Sequence, residues 1–338
     1  MLPNIKYCPC TLKEGYSTYS PTGRLLLFGT RTKDVNHILR FGPPGKNAEL
    51  TREYNEKRKS LSISGYQEKY SLRLVNKKLV LVESKGTHIL KPIPAERLEH
   101  VDDMPANEHV TMQIARQIFG IKTAAAAMIF FNDGTPAYLT RRFDIKPDGT
   151  KYQVEDFATL LGKSHEAEGD DYKYNASYLD IAKLIQKYVP AAKVELVNFF
   201  RLVVFNYLIA NGDSHLKNFS VMESEHGDYL LSPAYDLMCT SLHLSDSDIC
   251  MRDGLYDGDH NEADFLETGI YRRKAFISFA EKMDIPLKLA ESIIDDLTGK
   301  EEAVREMIER SFLSDKGKAG YLKYFSDRQK RLIKDFKI

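Results

Sequence analysis

Asn211-Gly212-Asp213-Ser214-His215-Leu216-Lys217-Asn218 sets an aspartate and an asparagine five residues apart, directly after a strongly apolar segment. A short hairpin pattern leads from there to Ser232-Pro233-Ala234-Tyr235-Asp236. These residue types in this order suit phosphoryl transfer. One carboxylate orients the acceptor hydroxyl and takes its proton, while an amide oxygen and a second carboxylate hold Mg2+ on the phosphates. Asp213 is the candidate for the first role, and Asn218 and Asp236 for the second. Nucleotide-bound Mg2+ takes one or two protein oxygens and completes its shell with phosphate and water, which suits this pair. His215 reads as a brace for the loop. Lys217 is placed either to meet phosphates or to lie at the surface. The spacing also arises by chance, with Asp213 as an Asx-turn residue and Asp236 as a helix N-cap. A kinase therefore needs the rest of a nucleotide site upstream.

Upstream, Lys91 ends the short strand pattern His88–Lys91, and Glu108 opens the helical pattern that follows. A strand lysine at the α- and β-phosphates, steadied by a helix glutamate, is the pairing a kinase uses. Lys and Glu are common enough for the coincidence also to be accidental. The stretch Ser60 to Lys69 precedes the first hairpin, where a phosphate-covering loop belongs. With Gly65 as its single glycine it does not match G-x-G-x-x-G. Backbone N–H groups and small serines can still cradle phosphate, and the alternative is a serine-rich turn.

The elements that must position these residues follow from periodicity. Tyr70–Val75 and Leu79–Val82 pair about Asn76-Lys77-Lys78, and Ala127–Phe131 and Ala137–Thr140 pair about Asn132-Asp133-Gly134. Residues 1–58 mix turn signals with short apolar runs such as Leu25–Phe28. Asn107 is placed to cap a helix over Glu108–Ile118, whose Val110, Ile114 and Ile118 recur every four residues, and Gly120 to end it. Beyond Tyr152 the pattern is helical over 153–161, 176–188, 194–210, 274–283, 286–298, 300–312 and 320–335, with strands at Phe219–Glu223 and Tyr229–Leu231. The polar stretch 240–270 shows no helical period. The expected fold is α+β, bilobal and protein-kinase-like. A β-rich N-terminal lobe over 1–143 precedes a mostly helical C-terminal lobe over 144–338, with nucleotide in the cleft between them.

A chain of 338 residues is long enough for two cores. Lys+Arg and Asp+Glu balance at 48 each, which removes the global electrostatic footprint of a nucleic-acid or anionic-membrane binder. The N-terminus has no basic-then-apolar signal pattern. The most apolar stretch, 196–210, is broken by Asn198, Arg201 and Asn206 and is too short to span a bilayer. The expectation is a cytoplasmic protein without direct nucleic-acid or membrane contact. Cys8 and Cys10 lack the second ligand pair that a structural zinc site wants, so the four cysteines read as reduced thiols.

Ser62-Ile-Ser64-Gly65-x-Gln67-Glu68-Lys69, His88-Ile-Leu-Lys91, Arg142-Phe143-Asp144, Glu155-Asp156, the string from Asn211 to Phe219 and Pro233-x-Tyr235-Asp236 together resemble the HipA family. Its members are serine/threonine kinases, the toxins of bacterial toxin–antitoxin modules. The resemblance covers roughly residues 60–335, and Asn-x-Asp-x-His-x-Lys-Asn is its most specific string. It implies ATP and Mg2+ as cofactors, Asp213 as base, Asn218 and Asp236 at magnesium, and Lys91 at the phosphates. Ser64, Gly65, Tyr66, Gln67, Glu68 and Lys69 would cover the triphosphate, and His215, Lys217 and Tyr235 fall within the family's nucleotide-binding strings. Arg141, Arg142 and Phe143 would form the hinge that faces adenine through backbone groups, with Arg141 standing where HipA has Glu.

The residues before Ser62 are too few for the additional N-terminal subdomain of longer members, which makes the chain resemble the short HipT branch. There a separate small protein supplies that subdomain beside the DNA-binding antitoxin. The resemblance further implies a protein substrate, such as an aminoacyl-tRNA synthetase, and autophosphorylation at Ser62 and Ser64. A phosphate on either serine adds nearly two negative charges beside the place of the ATP phosphates, which would restrain the kinase. Two other functions share Asp-x4-Asn. A small-molecule phosphotransferase needs a closed acidic or aromatic pocket. A nucleotide-binding protein without catalysis is disfavoured by the joint presence of Asp213, Asn218, Asp236 and Lys91.

Overall fold

A computed structural model describes residues 5–31, 35–44, 68–96 and 98–333. The chain separates into two compact units. The first takes the described residues up to Ile114, together with Ala124–Thr150 and Glu306–Lys318. The second takes Ala115–Thr123, Lys151–Arg305 and the described residues from Ala319 onward. A tight turn lies at the end of the Ala124–Thr150 segment of the first unit. Lys146 N–H donates to Thr150 O (2.8 Å) and Gly149 N–H to Lys146 O (2.9 Å), so this turn closes on itself.

In the first unit, strands β1 (Tyr70–Val75), β2 (Lys78–Leu81), β3 (His88–Pro92), β4 (Ala126–Phe130) and β5 (Pro136–Arg141) form one antiparallel sheet in the order β2-β1-β3-β5-β4. Val75 pairs with Lys78, which leaves Asn76 and Lys77 as a two-residue loop with φ of 47° and 64°. Both being left-handed matches the turn whose twist suits a hairpin. Tyr70, Leu72, Leu90, Ile129 and Leu139 share a core on this sheet. The free edge of β4 is covered by the N-terminal segment. Met128 N–H donates to Pro9 O (2.8 Å), Phe130 N–H to His37 O (2.8 Å) and Leu39 N–H to Phe130 O (2.7 Å). Covering these groups removes a template for pairing with another chain. The run Leu25–Phe28 is the end of helix α1 (Pro21–Phe28), which Ser20 caps by accepting from Gly23 N–H (3.1 Å) and Gly29 closes at φ 66°.

Helix α2 (Met104–Gln113) begins earlier than expected. Pro105 lies in its first turn, where the missing N–H costs nothing, and Asn107, expected as the cap, is fully buried inside it. A π turn, Ile114–Ile118, continues the helix. Every residue of α2 is buried, so each polar side chain needs a partner. His109 Nε2 lies 3.1 Å from Cys10 O, and Thr111 Oγ1 donates to Asn107 Oδ1 (3.3 Å). Glu108 Oε1 accepts from Lys91 Nζ at 2.6 Å, the two side chains being 3% and 4% exposed. Just before α2, Asp103 accepts from Ser314 N–H at 2.7 Å, which ties residues far apart in sequence into the same unit.

The second unit is mainly helical. Its helices are α3 (Phe157–Leu160), α4 (His165–Glu168), α5 (Tyr178–Tyr188), α6 (Ala192–Leu208), α7 (Ala263–Thr268), α8 (Arg273–Lys282) and α9 (Leu287–Thr298), and α10 (Glu301–Glu309) and α11 (Asp315–Leu332) follow. Strands β6 (Val154–Asp156), β7 (Ser220–Glu223) and β8 (Tyr229–Leu231) make a small antiparallel sheet. Residues 153–161 were expected as one helix. Instead Val154 pairs with Met222 and Asp156 with Ser220, and Asp156 then caps a short helix by accepting from Thr159 N–H (2.8 Å). A pairing distant in sequence overrides the local pattern. The stretch 240–270, expected without helix, contains α7, too short to show a period and closed by Gly269 at φ 68°. Helix α6 is buried over most of its length and packs against α5 and α9. Among the described residues no helix is long and apolar enough to cross a membrane.

Two outcomes for stability follow. Glu108→Ala leaves the Lys91 ammonium buried without its carboxylate, and urea unfolding should show a loss of roughly 3–5 kcal/mol; adding Lys91→Met should recover most of it. Burial pushes His88 and His109 from 6.5 down to about 4, against the pull of their backbone hydrogen bonds. Both histidines are therefore neutral in the folded chain while the unfolded chain takes up protons. Stability should be full above pH 6.5 and fall as pH drops towards 4, on the order of 3 kcal/mol per histidine across that window. Denaturant midpoints compared at about pH 7 and about pH 5 check the sign.

Candidate active site

The loop that carries Asp213 starts where α6 ends. Ala210 takes a left-handed conformation (φ 53°), and Asn211 N–H returns to Asn206 O (2.9 Å) while Asn211 Nδ2 donates to Asn206 Oδ1 (2.9 Å). Gly212 N–H donates to Thr240 Oγ1 (2.7 Å). A Cβ at Gly212 would lie 2.4 Å from the Cβ of Asp246, so only glycine fits. Asp213 O accepts from Asn218 Nδ2 (2.8 Å), which closes the loop on itself. Asp213 Oδ1 accepts from the hydroxyl of Tyr174 (2.7 Å). The Asp213 side chain is 47% exposed, and its Oδ2 makes no hydrogen bond among the described residues. The loop thus presents one free carboxylate oxygen on an otherwise fixed residue.

His215 Nε2 lies 3.9 Å from Asp213 Oδ1. Burial pushes the imidazole down to about 4, outweighing the attraction of Asp213, so this contact is not an ion pair near neutral pH. The Tyr174 ring meets that of His215 edge-on at 5.4 Å. Lys217 Nζ donates to the Tyr172 hydroxyl (3.2 Å). Tyr235 OH donates to Lys217 O (2.9 Å) and lies 2.6 Å from Ser220 Oγ, so its hydroxyl braces the loop. Asp236 is half-buried at φ 54°, and its charge is felt at His215. No helix starts there, which removes the N-cap explanation for Asp236.

In the first unit, Lys91 is joined to Glu108 and its ammonium lies 5.3 Å from the centre of the Tyr138 ring. Arg141 ends β5, and its guanidinium donates to Leu26 O (3.1 Å) at the end of α1. Arg142 Nε donates to Asp144 (2.9 Å). The N–H groups of Arg141 and Arg142 are engaged by Ala125 O (2.8 Å) and Thr87 O (3.0 Å), so neither is open as a donor to adenine. Phe143 is half-buried. Glu68 accepts from Tyr70 OH, and Lys69 leads into β1. Ser62, Ser64, Gly65, Tyr66 and Gln67 lie outside the described residues.

The donor set of the second unit fits Mg2+. Asn218 commits its Nδ2 to Asp213 O and keeps Oδ1 as an acceptor, and Asp236 adds a carboxylate. Both are hard oxygen ligands. Among the described residues no group of three or more His, Cys, Asp or Glu side chains forms a metal cluster. Several residues that shape the loop carried no usable signal in the sequence. Thr240, Asp246, Tyr172 and Tyr174 stand in stretches whose only visible property is polarity. Asp246 is pushed up chiefly by burial, with the charge of Asp213 adding to it, and its Oδ2 is buried without a hydrogen bond among the described residues.

Known proteins share this arrangement of chain. The HipA-like C-terminal domain family matches residues 61–305. A Haemophilus influenzae protein named "Putative kinase" is 27% identical over 327 residues, which cover 91% of this chain and 92% of that protein. A Sinorhizobium fredii protein named "Putative kinase Y4dM" is 30% identical over 203 residues, covering 55% of this chain and 47% of its own length. Among solved structures, HipA of Shewanella oneidensis MR-1, in complex with HipB and its operator DNA, is similar with a TM-score of 0.63 and 20% identity, over 85% of this chain and 71% of that one. That likeness concerns the fold, which is α+β and kinase-like as the sequence led us to expect. With the family match extending over most of its length, the chain belongs to the HipA-like C-terminal domain family.

Proposed function

We propose that this chain is an ATP- and Mg2+-dependent protein kinase that phosphorylates serine or threonine hydroxyls, acting as the toxin of a bacterial toxin–antitoxin module. One observation carries the reading. Asp213 is fixed through Oδ1 and through its own backbone, while Oδ2 is left for an acceptor hydroxyl. A base in phosphoryl transfer needs position more than an unusual proton affinity, because the transition state asks little covalent help of the protein.

On this reading the acceptor hydroxyl donates to Asp213 Oδ2. Its oxygen bonds to the γ-phosphorus, the bond to the ADP oxygen breaks, and Asp213 receives the proton. Lys91, oriented by Glu108, meets the α- and β-phosphates of the substrate nucleotide. Mg2+, held by Asn218 and Asp236, would neutralise the charge on the phosphates. His215, neutral and buried, adds no charge that would compete with the hydroxyl for Asp213. A translation-related protein such as an aminoacyl-tRNA synthetase is the substrate we propose, with autophosphorylation at Ser62 and Ser64, in the cytoplasm. The Shewanella neighbour is bound to HipB, and this supports a DNA-binding antitoxin as partner.

With labelled ATP and bacterial lysate, Asp213→Ala should lower phosphoryl transfer roughly 10²–10⁴-fold while ATP binding persists. Asp236→Ala should lose Mg2+-dependent autophosphorylation. Normal autophosphorylation in Asp236→Ala would remove that residue from the magnesium site, and unchanged transfer in Asp213→Ala would remove the kinase mechanism.

A further inference from the structure

Among the described residues, Asp213 is held from outside its own loop by one turn of chain. The 3-10 turn Asp170–Tyr174 follows Gly169 (φ 75°) and is secured at both ends. Asn175 Nδ2 donates to Glu168 Oε2 (2.8 Å), Arg252 N–H to Tyr174 O (2.8 Å) and Asp253 N–H to Ala176 O (3.1 Å). Two tyrosyl hydroxyls reach the loop from this turn. Tyr174 OH donates to Asp213 Oδ1 at 2.7 Å, and Tyr172 OH accepts from Lys217 Nζ at 3.2 Å. Burial first, and then the hydrogen bond to the Asp213 carboxylate, hold the Tyr174 phenol well above its ordinary range. Tyr174 therefore stays protonated and is the donor.

A hydroxyl bonded to the base can either occupy the acceptor's place or fix the base for the acceptor. The contacts favour the second. Tyr174 engages Oδ1, the same oxygen that faces His215, and its ring rests edge-on against that imidazole. Oδ2 has no hydrogen bond among the described residues, and the side chain keeps 47% of its exposure. A plug would leave no carboxylate oxygen to the acceptor, whereas here one remains. We propose, on the kinase reading above, that Tyr174 is a positioning residue: its hydroxyl sets the Asp213 carboxylate so that Oδ2 is presented to the acceptor. The same turn sets Lys217 through Tyr172.

Tyr174→Phe keeps the ring against His215 and removes only the donor. The kcat for transfer should fall roughly 10- to 100-fold, since small misplacements of a reacting group cost this much. The KM for ATP, ATP affinity and the thermal unfolding midpoint should stay at wild-type values. In an Asp213→Asn background, followed over long incubation, Tyr174→Phe should have no further effect, because the hydroxyl acts through that carboxylate. Transfer by Tyr174→Phe at or above the wild-type rate, in an active wild type, overturns the positioning role alone. The same fractional loss in the Asp213→Asn background overturns it as well, by showing a merely structural role. A wild-type chain without transfer, alongside an equally inactive Asp213→Ala, overturns the kinase reading and the positioning role with it.

Discussion

The hydrogen bonds between Asn206 and Asn211 are the contact on which the candidate active site rests. Helix α6 is buried over most of its length, so the chain leaving its end carries polar groups that must be satisfied before they reach water. Asn206 meets this need from inside the helix, accepting from both the backbone and the side chain of Asn211. The left-handed Ala210 then turns the chain, and Thr240 takes the next free N–H. Asp213 emerges at a fixed place with half of its carboxylate uncommitted. The rigidity of the loop comes from hydrogen bonds made within the fold, and a base proposed at Asp213 would draw its advantage from that position.

The same rule governs the first unit. Every residue of α2 is buried; Glu108 is joined to the sheet, His109 to the N-terminal segment, and Thr111 to Asn107 within the helix. A lysine and a glutamate so placed stabilise the fold together, since removing either leaves the other's charge buried without its counter-ion. Their energetic coupling and their orientation are one property. A lysine held this tightly can meet phosphate with little loss of side-chain freedom. The N-terminal segment contributes in a simpler way, by completing the backbone pairing of β4.

What was legible in the residues was local. Asn76-Lys77 between alternating apolar residues marks a hairpin because two left-handed residues match the twist of the strands. Long apolar periods mark α5, α6, α8 and α9 within a few residues of their observed limits. The failures share a cause. Residues 153–161 carry helix-compatible types, yet their first members pair with a strand distant in sequence. Asn107 suits a cap, yet the helix starts earlier because Pro105 and the preceding 3-10 turn initiate it. Helix α7 is too short for any period to appear.

The sequence alone determined the chemistry on offer: the order of lysine, glutamate, aspartate, asparagine and second aspartate, and the elements that carry most of them. Order and type are properties of neighbours along the chain, and periodicity reports them. Only the tertiary structure decided which oxygen of Asp213 is held and which is open. It also decided that Tyr235 braces the loop, that Arg141 reaches back to Leu26, and that Tyr172 and Tyr174 arrive from a turn some forty residues earlier. These choices depend on burial and on hydrogen-bond partners remote in sequence, and no local pattern encodes a partner that folding alone brings near.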